Sequence, residues 1–171
     1  MKTLLLVRHA DSDWAKDYDD DHQRQLNFGG KVAAKFMAKR LLNEQLVPEI
    51  VVCSTALRAA STAKLFNETL MLSPQKIILL PALYLAEPTE LHSQLEKLDN
   101  QYDRAMIIAH NPGLTSYAEY LTGDEVAQLP TCSIYGIQMD VTRWDTVGQE
   151  SGKCIFFDYP QKHLTTNVSS H

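Results

Sequence analysis

Residues 3–7 form a short apolar run that stops at the charged pair Arg8-His9, a pattern that predicts a buried strand. Three further runs have the same character: the β-branched stretch 50–53, the stretch 77–80 closed by Pro81, and 105–109. Residues 133–139 and 153–159 read as strands that complete a sheet. Between these runs the apolar spacing turns helical. From about 29 to 43, behind a capping Asn27, Val32, Phe36, Met37 and Leu41 recur at helical intervals, with Lys31, Lys35 and Lys39 elsewhere on the surface. A second helix, with Ser54 or Thr55 as its expected cap, holds Arg58, Thr62, Leu65 and Phe66. A third covers 90–98, and a short fourth runs from Gly113 to about Leu121, where Gly123 stops it.

Strands alternating with helices predict a three-layer α/β/α domain around a mostly parallel central sheet. No internal repeat, low-complexity block or interior linker interrupts the chain, so one domain is expected over 1–160, followed by a polar, loosely held tail, 161–171. In such sheets ligands bind at the carboxyl ends of the strands. Arg8 and His9 follow the first strand, Ser54 to Arg58 the second, and His110-Asn111-Pro112-Gly113 the fourth. Three segments distant in sequence are thus predicted to converge on one edge.

Composition narrows the choice of ligand. The 171 residues carry a formal net charge of −5, so there is no basic footprint for nucleic acid. No apolar run approaches the length of a membrane span, and the opening Leu4-Leu5-Leu6-Val7 is too short for a signal sequence. Cys53, Cys132 and Cys154 are odd in number, far apart and set among apolar neighbours, which suits buried reduced thiols and a cytoplasmic protein.

The chemistry rests on the three converging segments. A neutral imidazole is a capable nucleophile toward phosphorus, because it needs no deprotonation near neutral pH. His9 is placed to act so, with Arg8 offering a planar fork to phosphoryl oxygens. Arg58 falls in a first helical turn, where a cation opposes the helix dipole and a bound anion would justify it. Taken alone, Arg58 reads equally well as a surface arginine paired with a carboxylate. A protonated His110 would neutralise phosphate charge, and Asn111 would add a donor.

Together, Arg8-His9-Ala10, the pattern Ser54-x-x-x-Arg58-x-x-x-Thr62-Ala63 and the late His110-Asn111-Pro112-Gly113 resemble the histidine phosphatase superfamily, the phosphoglycerate mutase-like proteins. Within it, Leu6-Val7-Arg8-His9-Ala10-Asp11-Ser12-Asp13-Trp14 and Arg24-Gln25-Leu26-Asn27 look like the small bacterial phosphohistidine phosphatases of the SixA type. The resemblance implies a phosphoglycerate mutase-like fold and a metal-independent hydrolase without cofactor. In that reading His9 is the phosphorylated nucleophile, Arg8, Arg58 and His110 complete the phosphate pocket, and Arg24, Asn111 and Ser54 assist binding. The implied substrate is a histidine-phosphorylated protein such as a histidine-transfer domain. A small-molecule phosphomonoesterase or mutase is the alternative, and a non-catalytic phosphate-binding protein a third reading.

Some positions depart from the pattern. The superfamily commonly has a basic residue where Asp11 stands, proline at Gln25 and Thr55, and arginine at Gly29. These changes remove positive charge from the rim and bear on substrate choice. Glu87 is the only candidate for a general acid, and the surrounding motif does not match. The acidic stretch Asp17, Asp19, Asp20, Asp21 with His22 matches no calcium-loop spacing and reads as a solvated loop. A metal site from His9, Asp11 and His110 is disfavoured by the neighbouring arginines. Trp14 and Trp144 are expected to be packing residues, and His92, His163 and His171 have no evident partners.

Overall fold

The computed structural model describes residues 1–14 and 20–164. Six strands form one sheet in the order β3-β2-β4-β1-β5-β6: β1 Lys2–Arg8, β2 Ile50–Ser54, β3 Ile77–Leu80, β4 Arg104–Ala109, β5 Ile134–Met139 and β6 Gly152–Asp158. The first four in that order run parallel, and β5 and β6 are antiparallel additions at the β1 side. Helices α1 Phe28–Asn43, α2 Leu57–Leu70, α3 Pro88–Glu96 and α4 Gly113–Thr122 cover its faces.

The period-two alternation of buried strands splits the core in two. Leu4, Leu6, Val52 and Ile107 pack with α3 and α4 on one face. Leu5, Val7, Val51, Cys53 and Ile108 pack with α1 and α2 on the other. The fold is therefore the three-layer, mostly parallel arrangement that the alternation implied.

Register brings the three segments together. Arg8 pairs with Ala109 across β1 and β4, and Cys53 with Ile108 across β2 and β4. The strands end almost level, so His9, Ser54 and His110 emerge side by side. The turn after β4 holds a cis Asn111–Pro112 bond. It is closed by Gly113, where an added Cβ would lie 1.9 Å from the Ala86 carbonyl oxygen. Only glycine lets α4 start so close to that loop.

Several expectations are corrected. In α1 the buried face is Gly30, Ala34, Met37, Ala38 and Leu41, while Val32 and Phe36 are exposed. Alanines at the contact let α1 lie close against its neighbours, and the larger Val32 and Phe36 fall on the outer side. Helix α2 is capped by Ala56 without a side-chain bond, because the Ser54 and Thr55 hydroxyls are used elsewhere. The stretch read as a loose tail begins with a helical turn, α5 Gln161–Leu164, where His163 Nε2 lies 2.7 Å from Asp158 Oδ1. His92 also has partners, Tyr117 Oη at 2.8 Å and Glu96. Cys53 and Cys132 are buried, but Cys154 is half-buried because it stands on the edge strand β6. Trp144 packs in the core as expected and donates to the Tyr102 carbonyl. Trp14, in contrast, is 91% exposed. His171, Asp17 and Asp19 lie outside the described residues.

Candidate active site

His9 is buried, and its Nδ1 lies 2.7 Å from the Ala10 carbonyl oxygen. A carbonyl accepts only, so Nδ1 carries the proton and Nε2 keeps its lone pair. The segment is held by the Ala10 N–H, which donates to Thr62 Oγ1 at 3.0 Å, while Thr62 donates to the Arg58 carbonyl. Thr62 thus ties the nucleophile segment to the helix that carries Arg58. It stood in the quoted pattern four residues after Arg58 without an assigned role.

His110 faces the other side of the pocket, its ring centroid 5.3 Å from that of His9. Arg58 Nη2 donates toward His110 Nδ1 at 3.5 Å, so Nε2 is the protonated nitrogen and donates to Ser54 Oγ at 2.8 Å. Ser54 Oγ also accepts from the Ala56 N–H. Ser54 is fully buried and orients His110.

Arg58 is 2% exposed. Its Nη1 donates to the Asp21 carbonyl at 2.7 Å, and its Nη2 to Asp21 Oδ2 at 3.2 Å. Tyr84 Oη donates to the same Oδ2, and Arg24 Nε lies 3.0 Å from Asp21 Oδ1. Asp21 is therefore the carboxylate that fixes Arg58, and the reading of its stretch as a solvated loop is corrected there. Its carboxyl is held below the usual range, chiefly by the Tyr84 hydrogen bond and then by Arg58. His22 likewise has a partner, Thr55 Oγ1 at 2.9 Å. Sequence alone gave no signal for Tyr84, which reaches Asp21 across 63 positions.

Arg8 Nη1 donates to the Leu129 carbonyl at 2.8 Å. The Asn111 amide donates to the same oxygen, and its own oxygen accepts from Thr115. That commits Asn111 to holding the loop before β5. Glu87 caps α3 and is exposed, and it is not among the described residues lining the cleft at His9. That cleft, about 280 Å³, is lined by Arg8, His9, Arg24, Asp11 and Trp14, among others.

Electrostatics set the protonation states. Burial first, then Arg58, Arg8 and Arg24, push His9 down to about 4. Burial, then His9 and Arg58, push His110 down to about 3. Both are neutral at pH 7 in the unliganded site. The expected imidazolium at His110 is thus corrected: burial disfavours the charged ring, and Arg58 and Arg8 already stand nearby. An entering dianion favours the charged form and opposes that depression.

A prediction about stability follows from these shifts. Both folded-state values lie below the unfolded 6.5, so the unfolded chain binds more protons as pH falls from about 6.5 toward 4. The neutral histidines cost nothing above that window, and stability declines through it by about 1.4 kcal/mol per pH unit for each histidine. Urea midpoints for the wild type and His110→Gln at pH 7, 5.5 and 4.5 check this. The variant should decline less steeply by about one proton, and equal slopes would show that His110 is not buried neutral.

Comparison with known proteins places this geometry. Residues 4–84 match the family model of the histidine phosphatase superfamily, branch 1. The match spans just under half of the chain, and over that stretch the chain is similar to the superfamily. The matched stretch contains the superfamily segments around His9 and Arg58, and the fold supplies His110 beyond it. Among solved structures, a SixA protein from Agrobacterium tumefaciens, assigned as a phosphohistidine phosphatase, superposes with a TM-score of 0.79 at 21% identity, covering 93% of this chain and 99% of that one. The protein histidine phosphatase SixA in complex with tungstate gives 0.79 at 22% identity, covering 94% and 99%. An uncharacterized protein of Mycobacterium leprae is 26% identical over 167 residues, 91% of this chain and all of that one.

Proposed function

We propose that this protein is a histidine-phosphatase-type enzyme that takes a phosphoryl group from a protein histidine onto His9 and passes it to water. The observation that carries the proposal is the state of His9: a neutral ring with Nε2 as its lone pair, in a cleft shared with Arg8 and Arg24 and beside Arg58. The Nε atoms of Arg8 and Arg58 are buried and make no hydrogen bond among the described residues. Buried donors in that condition are costly unless something accepts from them. Phosphoryl oxygens would, and arginines neutralise the charge that a metal ion neutralises in other phosphoryl transfers. The reaction is therefore proposed to be metal-independent and to need no cofactor.

Proton bookkeeping favours phosphohistidine as the substrate. Attack by His9 Nε2 forms the N–P bond and breaks the substrate's own P–N bond. The leaving ring, protonated on its remote nitrogen, departs as a neutral imidazole. In the second step water attacks the phosphorylated His9. The Ala10 carbonyl keeps the proton on Nδ1, so His9 also leaves neutral. Neither step needs a general acid at the leaving nitrogen. An alkoxide, far more basic than imidazole, does need one. Glu87 is exposed and is not among the described residues lining the cleft at His9. The cleft opens to solvent at Trp14, whose ring is exposed. It suits a side chain presented on another protein's surface. The SixA structure bound to tungstate shows an oxyanion held by a protein of the same fold.

Among the described residues no helix is long and apolar enough to cross a membrane. Cys53, Cys132 and Cys154 are free thiols, which supports the proposal of a reducing, cytoplasmic setting.

The test compares kcat/KM on a phosphorylated histidine-transfer domain with that on sugar and glycerate phosphates, with and without EDTA. The phosphoprotein should be strongly preferred and chelation should change nothing. Faster turnover of a simple ester would replace this reading with a small-molecule phosphatase. Loss of activity in EDTA, restored by a divalent ion, would overturn metal independence.

A further inference from the structure

Asp11 and Trp14 are not needed by the mechanism above, yet both line the cleft at His9. Among the described lining residues, Asp11 is the one carboxylate, set beside Arg8 and Arg24. Its position is built. The Asp11 carbonyl accepts from the Asn27 N–H at 3.1 Å, and its Oδ2 accepts from Asn27 Nδ2 at 2.7 Å. Asn27 is itself fixed as the α1 cap, accepting from the Gly30 N–H at 2.7 Å. A Cβ on Gly30 would stand 2.1 Å from the Asp11 carbonyl oxygen, so the close approach of helix and segment depends on glycine there. The segment is further pinned by the Ser12–Leu26 bridge and the Asp13 N–H to Gln25 carbonyl bond. Trp14 follows at the mouth with its ring exposed.

A phosphate pocket gains nothing from a fixed anion, which repels the phosphoryl group. The arrangement makes sense for a ligand with a cation beyond the phosphoryl group. A carboxylate raises the protonated fraction of a nearby imidazole, and an indole face attracts the resulting cation. The ring-protonated form of phosphohistidine is the one that leaves without a general acid.

We propose that Asp11 and Trp14 are specificity-determining residues. They make this cleft select a substrate whose ring is cationic while bonded to phosphorus, protonated phosphohistidine, against phosphate esters carrying a second negative charge. The inference rests on the reading given under the proposed function. Asp11 favours the protonated ring of the substrate and repels the carboxylate of a glycerate phosphate. Trp14 covers the ring's face.

The full chain is assayed as wild type, Asp11→Asn, Asp11→Lys and Trp14→Ala on free phosphohistidine and 3-phosphoglycerate, across pH 5.5–9 (roughly the range in which imidazole titrates). Asp11→Asn retains an oxygen for Asn27 and removes only the charge. It should lower the phosphohistidine-to-glycerate ratio of kcat/KM by about fivefold, the scale of one partly exposed ion pair. Asp11→Lys should lower it further, and Trp14→Ala should raise KM for phosphohistidine about two- to fivefold. The alkaline limb of kcat for phosphohistidine, which reports the ring bound beside Asp11, should move to lower pH in Asp11→Asn. A wild type that prefers phosphohistidine, with ratio and limb unchanged in Asp11→Asn, would overturn the inference and leave the proposed function standing. A wild type that prefers 3-phosphoglycerate would overturn the proposed function itself.

Discussion

Replacing His9 with alanine is expected to abolish turnover, by on the order of 10⁴–10⁶-fold, while leaving the fold nearly intact. The ring is the group proposed to form the bond to phosphorus, and neither His110 nor Ser54 is placed to substitute for it. His110 Nδ1 accepts from Arg58, and its Nε2–H is committed to Ser54. Ser54 already accepts from two donors and is fully buried. The structural cost is small because β1 is held by its ladders to β4 and β5 rather than by this side chain. Initial rates on a phosphohistidine protein, beside a thermal melt, separate the two effects. Retained activity in a folded variant would remove His9 from the chemistry.

The second large effect belongs to Arg58. Its guanidinium is buried, fixed by Asp21 through two nitrogens, and supported from behind by Tyr84. Such preorganised charge is worth most where it meets developing negative charge. Arg58→Ala should lower kcat by about 10²–10³-fold, or ~3–4 kcal/mol of transition-state stabilisation. Arg58→Lys should recover only part, because an ammonium cannot reach Asp21, His110 and the phosphoryl group with one planar fork. A lysine variant equal to wild type would make Arg58 a structural residue. Steady-state kinetics on one phosphoprotein substrate decide between the two.

How far the sequence alone discloses this site depends on the type of interaction. Strands β1, β2 and β4 are legible because each is buried on both faces and reads as an unbroken apolar run ending at a charged or turn residue. Their carboxyl ends then locate His9, Ser54 and His110 without any side-chain detail. Helix faces are less legible. The α1 contact is made largely by alanines, which carry little pattern, so the larger Val32 and Phe36 suggested a face that the helix exposes. Long-range polar contacts are not legible at all. Asp21 looks like one of several loop acids, and its role appears only when Arg58 and Tyr84 arrive from 37 and 63 positions away. Trp14 illustrates the opposite limit. A tryptophan is usually packed, and only the placement of residues 11–14 along residues 25–27 shows that this one is carried out to the cleft.

The same division applies to charge. The arginines and histidines could be enumerated in advance, but not their protonation. A protonated His110 is a sound expectation for an isolated imidazole near phosphate. Burial beside Arg58 and His9 reverses it before phosphate arrives.

The most direct test of the account is capture of the phosphorylated enzyme. The protein is mixed with a ³²P-phosphohistidine protein, quenched in alkali within the first turnover, and mapped by peptide. The account predicts one label, stable in base and labile in acid, on the peptide containing His9, and none in His9→Ala. A label on another residue, or full turnover with no labelled enzyme at any time, would contradict it.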